Sequence, residues 1–241
     1  SEPTNLFSKL AFLSTKATDW LIPLFAMIIV AIVATFIYMS NPEIKLEMQQ
    51  QQEKAMREQF QKMVESGQMT QQQVDEQLDK TAEMMNNPMI IYLIPSISIF
   101  VIMLLWFFIF TTIAFLISKF AFKGDGSYSQ AMTAMGLPMY ISVLQSIILV
   151  IVGLLMGKML TGLNPASLTG MDIKTLPGFL LSRLDVFSIW FYIVVGIAFA
   201  KMFKSDNVKK YIFTSIGFWL VFMFIIFGLS KVSPMFGNMI R

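Results

Sequence analysis

Residues 97–118 read ISIFVIMLLWFFIFTTIAFLIS, a run of 22 residues without one charge. A bilayer hydrocarbon core of about 30 Å is crossed by roughly 20 apolar helical residues, so this stretch is read as a membrane span. Four more runs of the same kind accompany it: Trp20–Met39, Pro138–Leu160, Val186–Met202 and Tyr211–Ser230. The 241-residue chain is 56% hydrophobic and only 14% charged, more apolar side chain than a soluble domain of this size buries. The expected fold class is therefore all-α: a polytopic membrane protein with five transmembrane helices and an extramembrane helical hairpin between the first two. The first run is too long for the apolar part of a signal peptide, and no small-x-small cleavage pattern follows Tyr38, so it is read as a retained span.

The domain organisation follows from these runs. Residues 1–19 form an N-terminal segment, 20–39 the first span, 40–88 the extramembrane hairpin, and 89–241 the four remaining spans at 97–118, 138–160, 186–202 and 211–230. In the N-terminal segment Leu6, Phe7, Leu10, Phe12 and Leu13 gather on one side, away from Lys9 and Lys16. Two readings stand side by side: a helix lying on the cytoplasmic leaflet, or the beginning of the first span.

Residues 40–88 hold the only extended polar stretch. Gly67 is placed to stop one helix, and Thr70, with Gln73 three residues on, to cap the next. A thin apolar seam runs from Met48 to Met85 and includes Met56, Phe60, Met63 and Leu78, the residues proposed to dock a partner. Methionine suits such adaptable contacts. The other reading of this segment is a lid on the membrane domain.

Charge placement gives an orientation. Lys119, Lys123, Lys201, Lys204, Lys209 and Lys210 lie beside span ends on one side, whereas acids, from Glu43 to Glu83, outnumber lysines and arginines between the first two spans. The positive-inside rule then puts the N-terminus in the cytoplasm and the C-terminus outside, although Arg183 and Arg241 fall on the opposite side. The net charge of +3 is what cytoplasmic loops of a membrane protein produce, and nucleic acid is not expected as a partner. The chain has no Cys and no His, which removes thiolate and imidazole metal ligands and the usual nucleophile–base pairs. No cofactor, metal site or catalytic residue is expected.

The segment KGDGSYSQ, 123–130, has the glycines, lysine and serines of a phosphate loop, but in the wrong order and with no strand before it. It reads instead as a turn followed by a capping box, Ser127 with Gln130. A helix start beside lysines also suits a lipid phosphate, which makes Lys119, Lys123 and Ser127 candidate headgroup contacts. In SRLDVF, Ser182 is read as an N-cap with Asp185 at the third helical position. Asp185 with Arg183 and Gln145 is also the candidate functional polar site, since ionisable residues at membrane depth mark functional sites by default. Gly153 and Gly157 form a GxxxG pair suited to close helix packing, within the chain or in a dimer.

Four segments in this order, KLAFLSTKATDWLIPLF, REQFQKMVESGQMTQQQVDEQL, ISKFAFKGDGSYSQAMTAMGLPMY and LSRLDVFSIWFYIVVGIAFAKMF, resemble the bacterial branch of the YIP1 (Yip1-domain) family across nearly the whole chain. KGDGSYSQ leading to Gly136 and Pro138, and LDVFSIW with Asp185, Phe187 and Trp190, are its most specific parts. Leu137 stands between Gly136 and Pro138 where the family often has an aromatic after the glycine. The resemblance implies a five-span helical membrane protein with a cytoplasmic N-terminus and does not imply an enzyme. Eukaryotic members of the family associate with Rab GTPases and with each other; for a bacterial chain that traffic role is not carried over.

The function expected is that of a non-enzymatic scaffold or accessory subunit of the bacterial inner membrane. It would act through lipid and through a membrane protein partner or a second copy of itself. Its alternative is a transporter or channel for an ion or small amphiphile, with a polar cavity around Asp185, Arg183, Gln145 and the second-span threonines. An intramembrane enzyme acting on lipid needs paired acids or an activated nucleophile, and no spacing in the spans points to either.

Overall fold

The computed structural model describes residues 2–84 and 87–232. Met85 and Arg241, named above, lie outside them, as do the side chain of Glu83 and the C-terminal end. Helix makes up 81% of the described residues, with no strand among them. Each helix therefore satisfies its backbone hydrogen bonds within its own segment, as a bilayer requires.

Among the described residues four helices are long and apolar enough to cross a membrane: Thr18–Ser40 (α2), Met89–Ala121, Tyr128–Met156 and Val208–Lys231. The second consists of α5, Ile94–Leu116, prolonged at both ends by π-helical turns, Met89–Leu93 and Ile117–Ala121. Pro95 has no N–H to donate, and the ladder ahead of it shifts so that Ile94 N–H reaches Met89 O. The third comprises α6, Tyr128–Gly136, and α7, Met139–Met156, with Leu137 and Pro138 between them. Gly157 ends α7 with φ +64°, so residues up to Leu160, expected to complete that span, leave the helix.

A fifth crossing exists if α9, Leu176–Ser182, and α10, Val186–Met202, are one span bent by 59°. α10 alone has 17 residues, a length of about 26 Å at 1.5 Å per residue, which is short for a bilayer core.

α10 lies at the centre. Every residue from Val194 to Ala200 is buried, as befits a helix apolar all round. α11, Val208–Val232, packs beside it so closely that a Cβ on Gly196 would stand 2.5 Å from Ile212 Cα. The N-terminal helix α1, Glu2–Leu10, also packs on α10, with Phe7 and Ala11 buried in the same core while Leu6, Phe12 and Leu13 stay exposed. It is thus a separate helix seated on the bundle. α2 packs against α6 and α7; a Cβ on Gly136 would come within 2.7 Å of Trp20 Cα.

Between the first two apolar rods run α3, Pro42–Glu65, and α4, Gln71–Met84, which contact each other. Asn41 caps α3, accepting from the Glu43 and Ile44 amides, and the foot of α3 is fixed by Ile44, fully buried beside Tyr38 and Val150. Gly67 takes φ +73° in the turn. Thr70 then opens α4: its N–H donates to Gln73 Oε1 at 2.9 Å, and its hydroxyl accepts the Gln73 N–H at 3.3 Å.

Candidate functional site

The most connected polar group within the membrane domain is the Asp185 carboxylate, buried to 3% exposure. It is the N-cap of α10: Oδ1 accepts the Ser188 N–H at 2.9 Å. Gln145, reaching from α7, donates its Nε2 to Oδ1 and Oδ2, each at 3.0 Å. The Leu163 N–H, from the chain that follows α7, donates to Oδ2 at 2.8 Å. Four N–H···O contacts match the roughly four lone-pair sites of a carboxylate. One side chain thus joins the start of α10, the middle of α7 and the loop after it.

The cap sits three residues later than the sequence suggests. Ser182 is the last residue of α9, not an N-cap, and its hydroxyl turns back to donate to Phe179 O at 2.6 Å. The bend between α9 and α10 takes up Arg183 and Leu184, so the first free amides of α10 face Asp185 itself. Arg183 donates Nε and Nη2 to the Ser182 hydroxyl, at 3.1 and 2.9 Å, and lays its guanidinium over the Phe179 ring 5.1 Å away.

These groups line a cavity of about 250 Å³ that includes Gln145, Arg183, Asp185, Asn164 and Tyr192. The second-span threonines lie elsewhere: Thr111 is fully buried, and Thr112 shares a 2.9 Å hydrogen bond with the Tyr128 hydroxyl. Three contributors escaped the sequence reading. Asn164, buried, caps the short helix α8, Pro165–Thr169, by accepting the Ser167 N–H at 2.9 Å. Asn followed by Pro is a readable helix start, so the signal was present. A Cβ on Gly162 would meet Asn164 Nδ2 at 2.4 Å and Asp185 Oδ2 at 3.0 Å, and no local pattern announces that proximity. The same holds for the Leu163 amide.

The 123–130 segment is a docking loop. Ser127 and Gln130 form the capping box of α6, with the Ser127 hydroxyl accepting the Gln130 N–H at 3.2 Å. Gln130 Nε2 also donates to Ala11 O at 3.2 Å, tying the loop to the N-terminal segment. Gly124 and Gly126 lie flat on Phe203; a Cβ on Gly126 would stand 2.7 Å from that ring. Asp125 N–H donates to Phe203 O, and its carboxylate pairs with Lys204 at 2.8 Å. That hydrogen bond and the Lys204 charge hold the fully exposed Asp125 carboxyl below its ordinary range. Lys119 lies in the π-helical turn that ends the α5 rod, and Lys123 follows it with φ +55°.

The GxxxG pair divides into two roles. Gly153 is buried against the first span, where a Cβ would lie 2.6 Å from the Tyr38 hydroxyl, and that hydroxyl donates to Leu149 O at 2.9 Å. Gly157 is the terminator of α7. On α3, Met56, Phe60 and Met63 are half-buried, and on α4 Leu78 is buried together with Val74.

Among the described residues no three His, Cys, Asp or Glu side chains gather in a way that would hold a metal ion. Set against curated proteins and solved structures, the chain matches none. The Yip1 domain family model, in contrast, matches residues 11–229, which takes in α2 to α10, most of α11 and the Asp185 site. The chain therefore belongs to the Yip1 domain family.

Proposed function

We propose that this Yip1-domain protein is a non-enzymatic, five-span scaffold or accessory subunit of the bacterial cytoplasmic membrane. It works through contacts with a membrane protein partner, a second copy of itself, or lipid. The observation that carries this reading is the full commitment of Asp185. Its oxygens already take four N–H···O contacts from three nitrogens in three parts of the chain, so its role is to hold helices together. Counting the bent α9–α10 pair as one span gives five crossings, and the basic residues Lys119, Lys123, Lys204, Lys209 and Lys210 mark the cytoplasmic side under the positive-inside rule. That orientation puts the N-terminus inside and the C-terminus outside. α3 and α4, between the first two spans, form the surface for a partner, with the half-buried Met56, Phe60 and Met63 as its apolar residues, while Leu78 is buried.

A transporter or channel is the second reading, favoured by the 250 Å³ cavity beside Arg183 and Asp185. It requires Asp185 to release bonded amides in every cycle. Extraction into native-lipid discs after mild crosslinking, followed by mass spectrometry, tests the proposal. A stoichiometric protein linked to α3 or α4 supports the scaffold role. Retention of lipid alone, together with solute flux abolished by Asp185→Asn in a folded protein, overturns it.

A further inference from the structure

A second, larger cavity of about 430 Å³ lies between α5, α7, α10 and α11, within the roughly 300–1,000 Å³ of small-ligand sites. Its walls are apolar, with Met103, Ile113, Val195, Phe199 and Phe218 among them. Aromatic rings bridge it: Phe110 of α5 meets Phe218 of α11 at 5.8 Å between centroids, and Phe122, just past the π-helical turn that ends the α5 rod, meets Tyr211 of α11 at 4.9 Å.

One end of the cavity is polar. Ser118 and Tyr211 line it there, and Lys119 and Lys210 adjoin them in sequence. Lys210 Nζ stands 3.7 Å above the ring of Phe122, itself a lining residue. The Tyr211 hydroxyl is buried and has no hydrogen-bond partner at bonding geometry among the described residues, with the Ser205 side chain as its polar neighbour. The buried Tyr211 hydroxyl and the Lys210 ammonium over Phe122, both at the edge of an apolar cavity, suit an amphiphile with an anionic head.

We propose that this cavity binds one anionic phospholipid. An acyl chain lies among the α5, α10 and α11 side chains, and the phosphate or ester oxygens meet the Tyr211 hydroxyl and the Lys119 and Lys210 ammonium groups. The lipid fills the space between α5 and α11 and acts as a structural component of the bundle. The proposal rests on the membrane-spanning fold but not on the scaffold role, and a missing protein partner leaves it standing.

The full chain is reconstituted into nanodiscs containing equal parts phosphatidylglycerol and phosphatidylcholine, then released for native mass spectrometry. The expected result is one retained phosphatidylglycerol per chain in preference to phosphatidylcholine. Lys119→Gln and Lys210→Gln each lower that preference about fivefold, the weight of one lysine near an anionic lipid surface. Ser215→Trp, which puts a ring into the cavity, abolishes retention. Tyr211→Phe keeps the ring on Phe122 and weakens retention, and it serves if the tryptophan variant does not fold. Equal retention of the two lipids overturns the proposal, as does unchanged retention in a folded Ser215→Trp or in Tyr211→Phe.

Discussion

Gln145 and Asp185, forty residues apart in sequence, meet through one amide nitrogen 3.0 Å from both carboxylate oxygens. The pair locks the middle of α7 to the first turn of α10, the most buried helix of the bundle. Because Oδ1 also caps α10 and Oδ2 also holds Leu163, removing the carboxylate strands several buried donors at once.

Asp185→Ala is expected to lower stability by about 3 kcal/mol or more, since each buried polar group left without a partner costs about 1–3 kcal/mol. Asp185→Asn keeps one acceptor oxygen and is expected to cost less, about 1–2 kcal/mol. Gln145→Leu lies between them. Thermal unfolding in detergent or lipid, followed by tryptophan fluorescence, gives the order; a transport role predicts instead that Asp185→Asn unfolds like the wild type and loses flux.

Gly153→Leu is expected to destabilise the chain by about 1–3 kcal/mol, because the new side chain has to displace Tyr38 from α2. Gly157→Ala is expected to cost about 1 kcal/mol through its φ of +64°. Oligomeric state, measured by light scattering with detergent correction, should not change in Gly157→Ala. A face used for dimer packing predicts the reverse, a change of oligomeric state in both variants with little loss of monomer stability.

The Asp125–Lys204 pair gives a pH dependence confined to acid. The folded-state pKa of Asp125 is depressed below its unfolded value of about 3.9. Its contribution is therefore complete above that value and is lost as pH falls through the lower folded value. Asp125→Asn should leave stability at neutral pH nearly unchanged, since the pair is exposed, and should remove this part of the acid-side slope. Hydrogen exchange of the Asp125 amide, which donates to Phe203 O, reports on the loop as pH is lowered.

What the sequence makes legible is local. The apolar runs identify membrane helices, and the capping boxes at Ser127/Gln130 and Thr70/Gln73 form as spacing predicts, because each is closed within four residues. Asp185 stands out in the sequence, but the spacing there predicts Ser182 as the cap, three residues early, since no Gly or Pro marks the bend between α9 and α10. The partners of Asp185 come from α7 and the loop after it, and a uniformly apolar helix carries no mark of which face meets which neighbour. Gly124 and Gly126 read as turn residues; their closeness to Phe203 depends on a chain segment nearly eighty residues away.

The proposed function makes one central claim, that the chain works by binding other membrane components. Photo-crosslinking amino acids placed singly at Met56, Phe60 and Met63 of the full chain, activated in intact cells, test it most directly. The account predicts a discrete protein adduct at one or more of these positions, reproduced between preparations and absent from a control position such as Glu58 on the opposite, exposed face of α3. No adduct at any of the three positions, in a chain shown to be folded and inserted, would contradict it.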